Sequence, residues 1–192
     1  VRARIVPDLF QMSLSRVNVD DLGGVPLIGV QEVSIGQGAL AVKRVADILL
    51  ATCGILVGIP FAALIAAAIR LDTPGPVIFR QIRVGKGGKL FEMYKFRSMH
   101  PGAEQEWDEV REMDEIDGVT FKIRQDPRTT RVGRILRRTS LDELPQLWNV
   151  LRGDMSMVGP RPNVPSEVAQ YKAWHKKRLE VPPGLTGMWQ VS

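Results

Sequence analysis

The chain has 192 residues and a net charge of +5, with 44% hydrophobic and 24% charged residues, enough for one ordinary domain. That balance excludes a disordered chain, a collagen and a many-span membrane protein, but allows a folded head carrying one membrane segment. Cys53 alone forms no internal disulfide or thiolate zinc site, and His100 and His175 lack metal-ligand spacing, so chemistry falls to carboxylates.

Residues 1–38 alternate short apolar groups with turns, as in Ile5-Val6-Pro7-Asp8 and Gly23-Gly24-Val25-Pro26. They read as strand and loop pieces too few to bury a core, hence the tail of an upstream domain or a linker. A start at Val1 rather than Met, without a signal-peptide pattern, suggests a fragment.

Ile48 to Ile69 is a run of 22 residues without a charge. As a helix it would reach roughly 33 Å, about one hydrocarbon core. Lys43 and Arg44 precede it, and Arg70, Arg80, Arg83, Lys86 and Lys89 follow. Two basic flanks do not suit a simple span, whose excess positive charge belongs on one side. Pro60, preceded by Gly58, interrupts the middle. The run therefore reads as a re-entrant segment returning to the face it left, with a Pro-kinked span and a buried core helix as alternatives.

Val77–Val84 and Lys89–Met99 are β-leaning runs joined by Gly85-Lys86-Gly87-Gly88, a hairpin with a glycine-rich turn. Walker spacing is absent, so these glycines are not a phosphate loop. Residues 102–117 carry eight acids, with Trp107, Val110, Met113 and Ile116 at three-residue steps, which predicts a helix with a solvated acidic face. Beyond it, Arg131, Arg134 and Arg138 are expected on one helical face, with Val132, Ile135 and Leu136 on the other. The arginines read as a solvated face or one lying on anionic headgroups.

Ser140 followed by Glu143 fits a capping box, predicting a helix from Leu141 that buries Leu144, Leu147, Trp148 and Leu151. Asp142 would sit in its first turn, where the helix dipole favours an ionised carboxylate and a neighbouring phosphate. Capping alone explains most such acids. What distinguishes this pair is its setting between basic clusters and Arg161, which Pro160 and Pro162 bracket. A rigid arginine suits bidentate recognition of phosphate, so the combination points to phosphate chemistry at a membrane surface.

The motifs Lys43-Arg44-x-x-Asp47, Pro74-Gly75-Pro76-x-x-Phe79-x-Gln81 and Tyr94-Lys95-Phe96-Arg97-Ser98-Met99 are followed by three more. These are Ser140-Leu141-Asp142-Glu143-Leu144-Pro145-Gln146, Gly153-Asp154-Met155-Ser156-x-Val158-Gly159-Pro160-Arg161-Pro162 and Pro183-Gly184-x-Thr186-Gly187. In this order, from about Lys43 onward, they resemble the bacterial monotopic phosphoglycosyl transferases, also called the bacterial sugar-transferase family. Residues 1–38 look similar to the end of the Rossmann-like domain that precedes the catalytic part in larger members.

The resemblance implies a membrane-associated α+β fold: a Pro-bent re-entrant helix over 39–71 and a small helical catalytic domain with a β-hairpin over 72–192, truncated at its C-terminal end. It implies transfer of a sugar 1-phosphate from a UDP-sugar to polyprenyl (undecaprenyl) phosphate with UMP release, the first membrane step of exopolysaccharide or related glycan assembly. Asp142 would be the nucleophile, forming an aspartyl-phosphosugar, with Glu143 a metal ligand or a base. Mg²⁺ would bind at Asp142 and Glu143, and Lys95, Arg137 and Arg161 would meet the substrate's charge. The implied setting is the cytoplasmic face of the bacterial inner membrane, in contact with its lipid. Self-association, the sugar and the glycan are left open. Two readings from other classes stand beside it: a noncatalytic membrane scaffold, and a basic nucleic-acid-binding domain for which no motif is recognised.

Overall fold

The computed structural model describes residues 17–22, 25–30, 36–103, 105–106, 126–172 and 174–187. The chain divides into two compact units, residues 1–42 and 43–192. In the first, β1 (Val17–Leu22) and β2 (Val25–Val30) form an antiparallel hairpin, in register from Val17 opposite Val30 to Leu22 opposite Val25. The acidic helix expected over 102–117 lies outside the described residues from 107 onward.

Helix α1 runs from Gln37 to Asp72, with Pro60 inside it, and from Lys43 onward it belongs to the second unit. Its 36 residues correspond to about 54 Å. It is long and apolar enough to cross a membrane, yet only 11% of its most apolar stretch is buried. Leu49, Leu56, Val57, Ile59, Phe61 and Leu64 are all exposed. A core helix of a water-soluble protein would hide such residues.

The buried stripe of α1 serves two clusters. Ala51, with Ile55 beside it, packs on Met93, Leu147, Val150 and Met155. Farther along, Ile65 and Ile69, with Ala62, pack on Phe96 and Leu136. Both halves of the apolar run thus rest on the same folded unit.

The predicted hairpin is present as β3 (Ile78–Val84) and β4 (Leu90–Phe96), antiparallel, with Phe79 opposite Lys95 and Arg83 opposite Phe91. Its turn, Lys86–Gly88, is a 3₁₀ turn in which Gly87 and Gly88 have φ of +67° and +80°, conformations that favour glycine. Beyond β4, the Arg97 side chain turns back on the end of α1. Its Nη1 donates to Pro74 O at 2.8 Å and its Nη2 to Thr73 O at 2.7 Å.

Helix α2 (Arg131–Thr139) starts at Thr130, whose Oγ1 accepts from Gly133 N at 2.9 Å, while Asp72 Oδ2 accepts from Val132 N at 3.1 Å. Two otherwise orphaned N–H groups are satisfied in this way. A Cβ at Gly133 would lie 1.9 Å from Ser98 O, so the helix can approach that backbone only with glycine there. Just upstream, Asp126 and Arg128 form a buried ion pair at 2.7 Å. The guanidinium's hydrogen bond holds the Asp126 carboxyl below its ordinary range, against the opposing effect of burial.

Helix α3 (Gln146–Arg152) ends at Gly153, with φ of +93°. Arg44 caps it by donating to Val150 O at 2.7 Å and Leu151 O at 2.8 Å. The short strands β5 (Ser156–Val158) and β6 (Gly184–Thr186) pair in parallel, and α4 (Pro165–Ala169) lies between them in sequence.

Candidate active site

Asp142 and Glu143 lie in a 3₁₀ turn, Leu141–Glu143, between α2 and α3. This corrects the expected capping box. Ser140 makes no side-chain cap; it has φ of +56° and terminates α2 in the left-handed region. Pro145 is the reason a helix does not start at Leu141, because it lacks the N–H that would bond to the Leu141 carbonyl. The chain makes one tight turn and begins α3 at Gln146, with Pro145 at its N-cap.

The buried face of α3 differs from expectation as well. Gln146, Leu147, Asn149 and Val150 are buried, Leu144 and Leu151 half-buried, and Trp148 is 55% exposed. Asn149 is sealed because it joins the helix to β4: Oδ1 accepts from Tyr94 N at 3.1 Å and Nδ2 donates to Glu92 O at 2.6 Å. Hydrophobic periodicity cannot find a buried amide, because its partners lie on β4, 55 and 57 residues away in sequence.

Among the described residues, Ser140 is the one non-glycine with positive φ. Strained backbone of this kind concentrates at functional sites. Here it ends α2 and leads the chain into the turn that carries Asp142 and Glu143, which lies against β4. Lys95, on β4, meets Glu143 at 2.8 Å, both about a quarter exposed. Asp142 is 7% exposed, and burial pushes its carboxyl above the ordinary range. Lys95 and Arg137 oppose that rise, and the adjacent Glu143 adds to it. The direction is opposite to the one expected from a first-turn position: Asp142 stands in the turn before α3 rather than in its first turn, and desolvation is the largest influence on it. A raised carboxyl makes a stronger base once ionised.

Four of the five candidate side chains, Asp142, Glu143, Lys95 and Arg137, therefore act on one another electrostatically. Arg137, exposed near the C-terminal end of α2, donates to Thr129 Oγ1 at 3.1 Å. Arg161 is exposed, and its charge is felt at Arg83, near the turn end of the hairpin. Lys95 lies four register positions away along that hairpin, about 13 Å. Ile135 also departs from expectation, being 64% exposed among Arg131, Arg134 and Arg138 rather than opposite them.

Asp142 and Glu143 offer adjacent carboxylates, and among the described residues no cluster of three or more His, Cys, Asp or Glu side chains forms a metal cage. A donor set of one or two carboxylates suits Mg²⁺, which completes its shell with water and substrate phosphate.

The motif Lys43-Arg44-x-x-Asp47 takes a structural place. Asp47 is 6% exposed and accepts from Ser156 Oγ at 2.9 Å, Met157 N at 3.1 Å and Lys43 Nζ at 3.3 Å. Lys43 Nζ also donates to Ser156 Oγ. These contacts lock α1 to β5, immediately before the loop that carries Arg161.

A profile of bacterial sugar transferases matches residues 38–192. The chain belongs to the bacterial sugar transferase family. It is 41% identical over 191 residues to the UDP-glucose:undecaprenyl-phosphate glucose-1-phosphate transferase of Escherichia coli, covering 98% of this chain and 39% of that protein. A galactosyl transferase of Streptococcus agalactiae is 46% identical over 153 residues, covering 80% of this chain and 34% of the relative. The putative undecaprenyl-phosphate N-acetylgalactosaminyl 1-phosphate transferase of Bacillus subtilis is 51% identical over 126 residues, 66% of this chain and 64% of the relative. This sugar transferase chain thus spans between about one third and two thirds of the length of these relatives. Their names carry three different sugars. Family membership lends no support to a nucleic-acid-binding or scaffold reading of the arginines and the Asp-Glu pair.

Proposed function

We propose that this chain carries the chemistry that moves a sugar 1-phosphate from a UDP-sugar to polyprenyl phosphate and releases UMP, the first membrane step of an exopolysaccharide or related glycan. The observation that carries this reading is Asp142: a buried carboxylate with a raised pKa, placed by a strained residue beside Glu143 and within the field of Lys95 and Arg137.

In this reading an Asp142 oxygen attacks the sugar-bearing phosphorus. The phosphoanhydride bond breaks, UMP leaves with the bridging oxygen, and an aspartyl-phosphosugar remains. An oxygen of polyprenyl phosphate then attacks the same phosphorus. The bond to Asp142 breaks, its carboxylate is restored, and the polyprenyl diphosphosugar departs. Splitting the transfer in two lets one nucleophile serve a cytosolic donor and a lipid acceptor in turn. Like charges must approach in both steps, so Lys95 and Arg137 favour the ionised nucleophile while Arg161 meets the donor's diphosphate. Asp142 and Glu143 would hold Mg²⁺, which when bound neutralises phosphate charge.

The same reading places α1 as a re-entrant anchor in the inner membrane, with the catalytic part on the cytoplasmic face. What supports it is that residues 51–55 and 62–69 pack on one folded unit. A helix whose two halves rest on the same body, between two basic flanks, is poorly suited to crossing the bilayer. The exposed side of α1 is then available to acyl chains, close to where a lipid acceptor is confined.

The test is UMP release by the full-length protein in lipid nanodiscs with Mg²⁺, polyprenyl phosphate and a panel of UDP-sugars. Release that requires one donor and disappears in Asp142→Asn would support both reaction and nucleophile. Equal release from wild type and variant would remove Asp142 from its role. No release from any donor by folded protein would return the scaffold reading.

A further inference from the structure

The loop Gly159-Pro160-Arg161-Pro162-Asn163 presents the arginine assigned above to the donor's diphosphate. Prolines have no N–H, so at 160 and 162 the backbone can be held only through its carbonyls. Both carbonyls are taken. Gly184 N, at the start of β6, donates to Pro160 O at 2.8 Å. Arg83 Nη1, from β3, donates to Pro162 O at 3.0 Å. Arg161 lies between these two fixed points, which belong to different elements.

The β6 side tolerates no side chain. Gly159 N donates to Thr186 O at 3.0 Å, and a Cβ at Gly184 would come within 2.1 Å of Gly159 N. On the other side, Val84 N donates to Asn163 O at 2.9 Å. Asn163 Nδ2 and Val164 N both donate to Glu167 Oε2, at 2.8 and 3.2 Å. Arg83 is itself fixed: Nη2 donates to Gln81 Oε1 at 2.5 Å, and Nε is sealed from solvent without a hydrogen-bond partner. Burying a guanidinium in this way is costly. Burial also holds its pKa below the ordinary arginine value; Glu167 opposes that depression and the neighbouring Arg161 adds to it. A half-buried cation with its Nε sealed thus stands next to a like charge at this place, held by the Pro162 carbonyl and Gln81.

We propose that Arg83 is a positioning residue for Arg161, setting through the Pro162 carbonyl the direction in which the Arg161 guanidinium meets the anionic donor. The inference rests on the functional reading above and adds to it a residue that acts through another. The forked guanidinium matters here, because it spans Gln81 and Pro162 with separate N–H groups. A lysine ammonium could reach one of them with the same directionality but not both.

The test uses the full-length protein in nanodiscs with Mg²⁺ and whichever UDP-sugar the wild type consumes. Arg83→Met, Arg83→Lys, Arg161→Met and the Met/Met double variant are compared for kcat, KM for the donor and thermal unfolding. Arg83→Met should raise KM about tenfold, equivalent to about 1.4 kcal/mol, with kcat within about twofold of wild type. Arg83→Lys should recover part of the loss. The double variant should be no worse than Arg161→Met alone, because nothing is then left to position. If Arg83→Met does not fold, a KM-specific defect in a folded Arg83→Lys protein carries the test. Additive losses in the double variant, or a kcat loss at unchanged KM, would reduce Arg83 to a support of the fold. Wild-type turnover with both Arg83 variants indifferent sinks this inference alone. A wild type that consumes no donor removes the functional reading and this inference together.

Discussion

Asp47 and Asp142 are buried to almost the same degree, 6% and 7% exposed, and are treated in opposite ways. Asp47 is surrounded by donors: Lys43, the Ser156 hydroxyl and the Met157 N–H all point at its carboxylate. For Asp142, among the described residues, no other residue donates to the carboxylate; the charges of Lys95 and Arg137 act on it through space. A buried charge must be compensated or it destabilises the fold. Compensation at Asp47 makes that residue a fastener between α1 and β5. Its incompleteness at Asp142 appears as a raised pKa, leaving carboxylate oxygen for chemistry.

The largest expected difference between the two is in turnover. Asp142→Asn should lower kcat at least about a thousandfold, roughly 4 kcal/mol in transition-state free energy, while the thermal midpoint stays the same or rises. Asp47→Ala should do the reverse. It leaves Met157 N without its acceptor and takes one acceptor each from Ser156 and Lys43, and chemical denaturation should register a loss of about 3 kcal/mol. Activity should then fall only in proportion to folded protein. If both variants lose activity without losing stability, the division between fastener and nucleophile is wrong.

Acid titration sharpens the contrast. Because the folded pKa of Asp142 is raised, its ionisation works against folding, and the native state binds the proton more tightly than the unfolded chain. Any stability advantage of Asp142→Asn over wild type should therefore be greatest above the folded pKa and fade as the pH falls toward the unfolded carboxylate value. Asp126 has the opposite sign. Its folded pKa is lowered by Arg128, so its contribution is present above the unfolded value and is lost as the pH falls through the folded one. Thermal melts across pH 3 to 8 of wild type, Asp142→Asn and Asp126→Asn should separate the two slopes. The smallest effect belongs to Ser156→Ala, which removes one link beside Asp47 and should cost about 1 kcal/mol with turnover nearly intact.

Much of this was legible in the sequence. Two β-leaning runs and a glycine turn placed the hairpin to within a few residues at its ends, and the uncharged run located α1. The Asp-Glu pair stood out once its basic surroundings were weighed. What escaped was local or long-range in character. The capping-box pattern at Ser140 was outweighed by Pro145, five positions on, which turns the first helical turn into a 3₁₀ turn. The burial of Asn149 depends on β4, over fifty residues away, and amphipathic counting along a helix cannot see that partner. Arg44 and Asp47 could be quoted from their motif and Arg83 only from the basic flank of the apolar run, but their partners are 79 to 110 residues distant. Arginines of this kind read as surface charge until the carbonyls they hold are known.

The two apolar clusters on α1 also bear on how the protein can be handled. Ala51, Ile65 and Ile69 supply three of the eleven buried hydrophobic side chains of the described residues, while Lys43 and Asp47 provide the lock to β5 and Arg44 caps α3. Cutting away residues 43–72 would therefore not yield a water-soluble enzyme that has lost only its anchor. It would open both clusters and release β5 together with the arginine loop that follows it. The helix that meets lipid in the proposed arrangement is also part of the core, so a detergent that disturbs α1 should lower the stability of the whole unit.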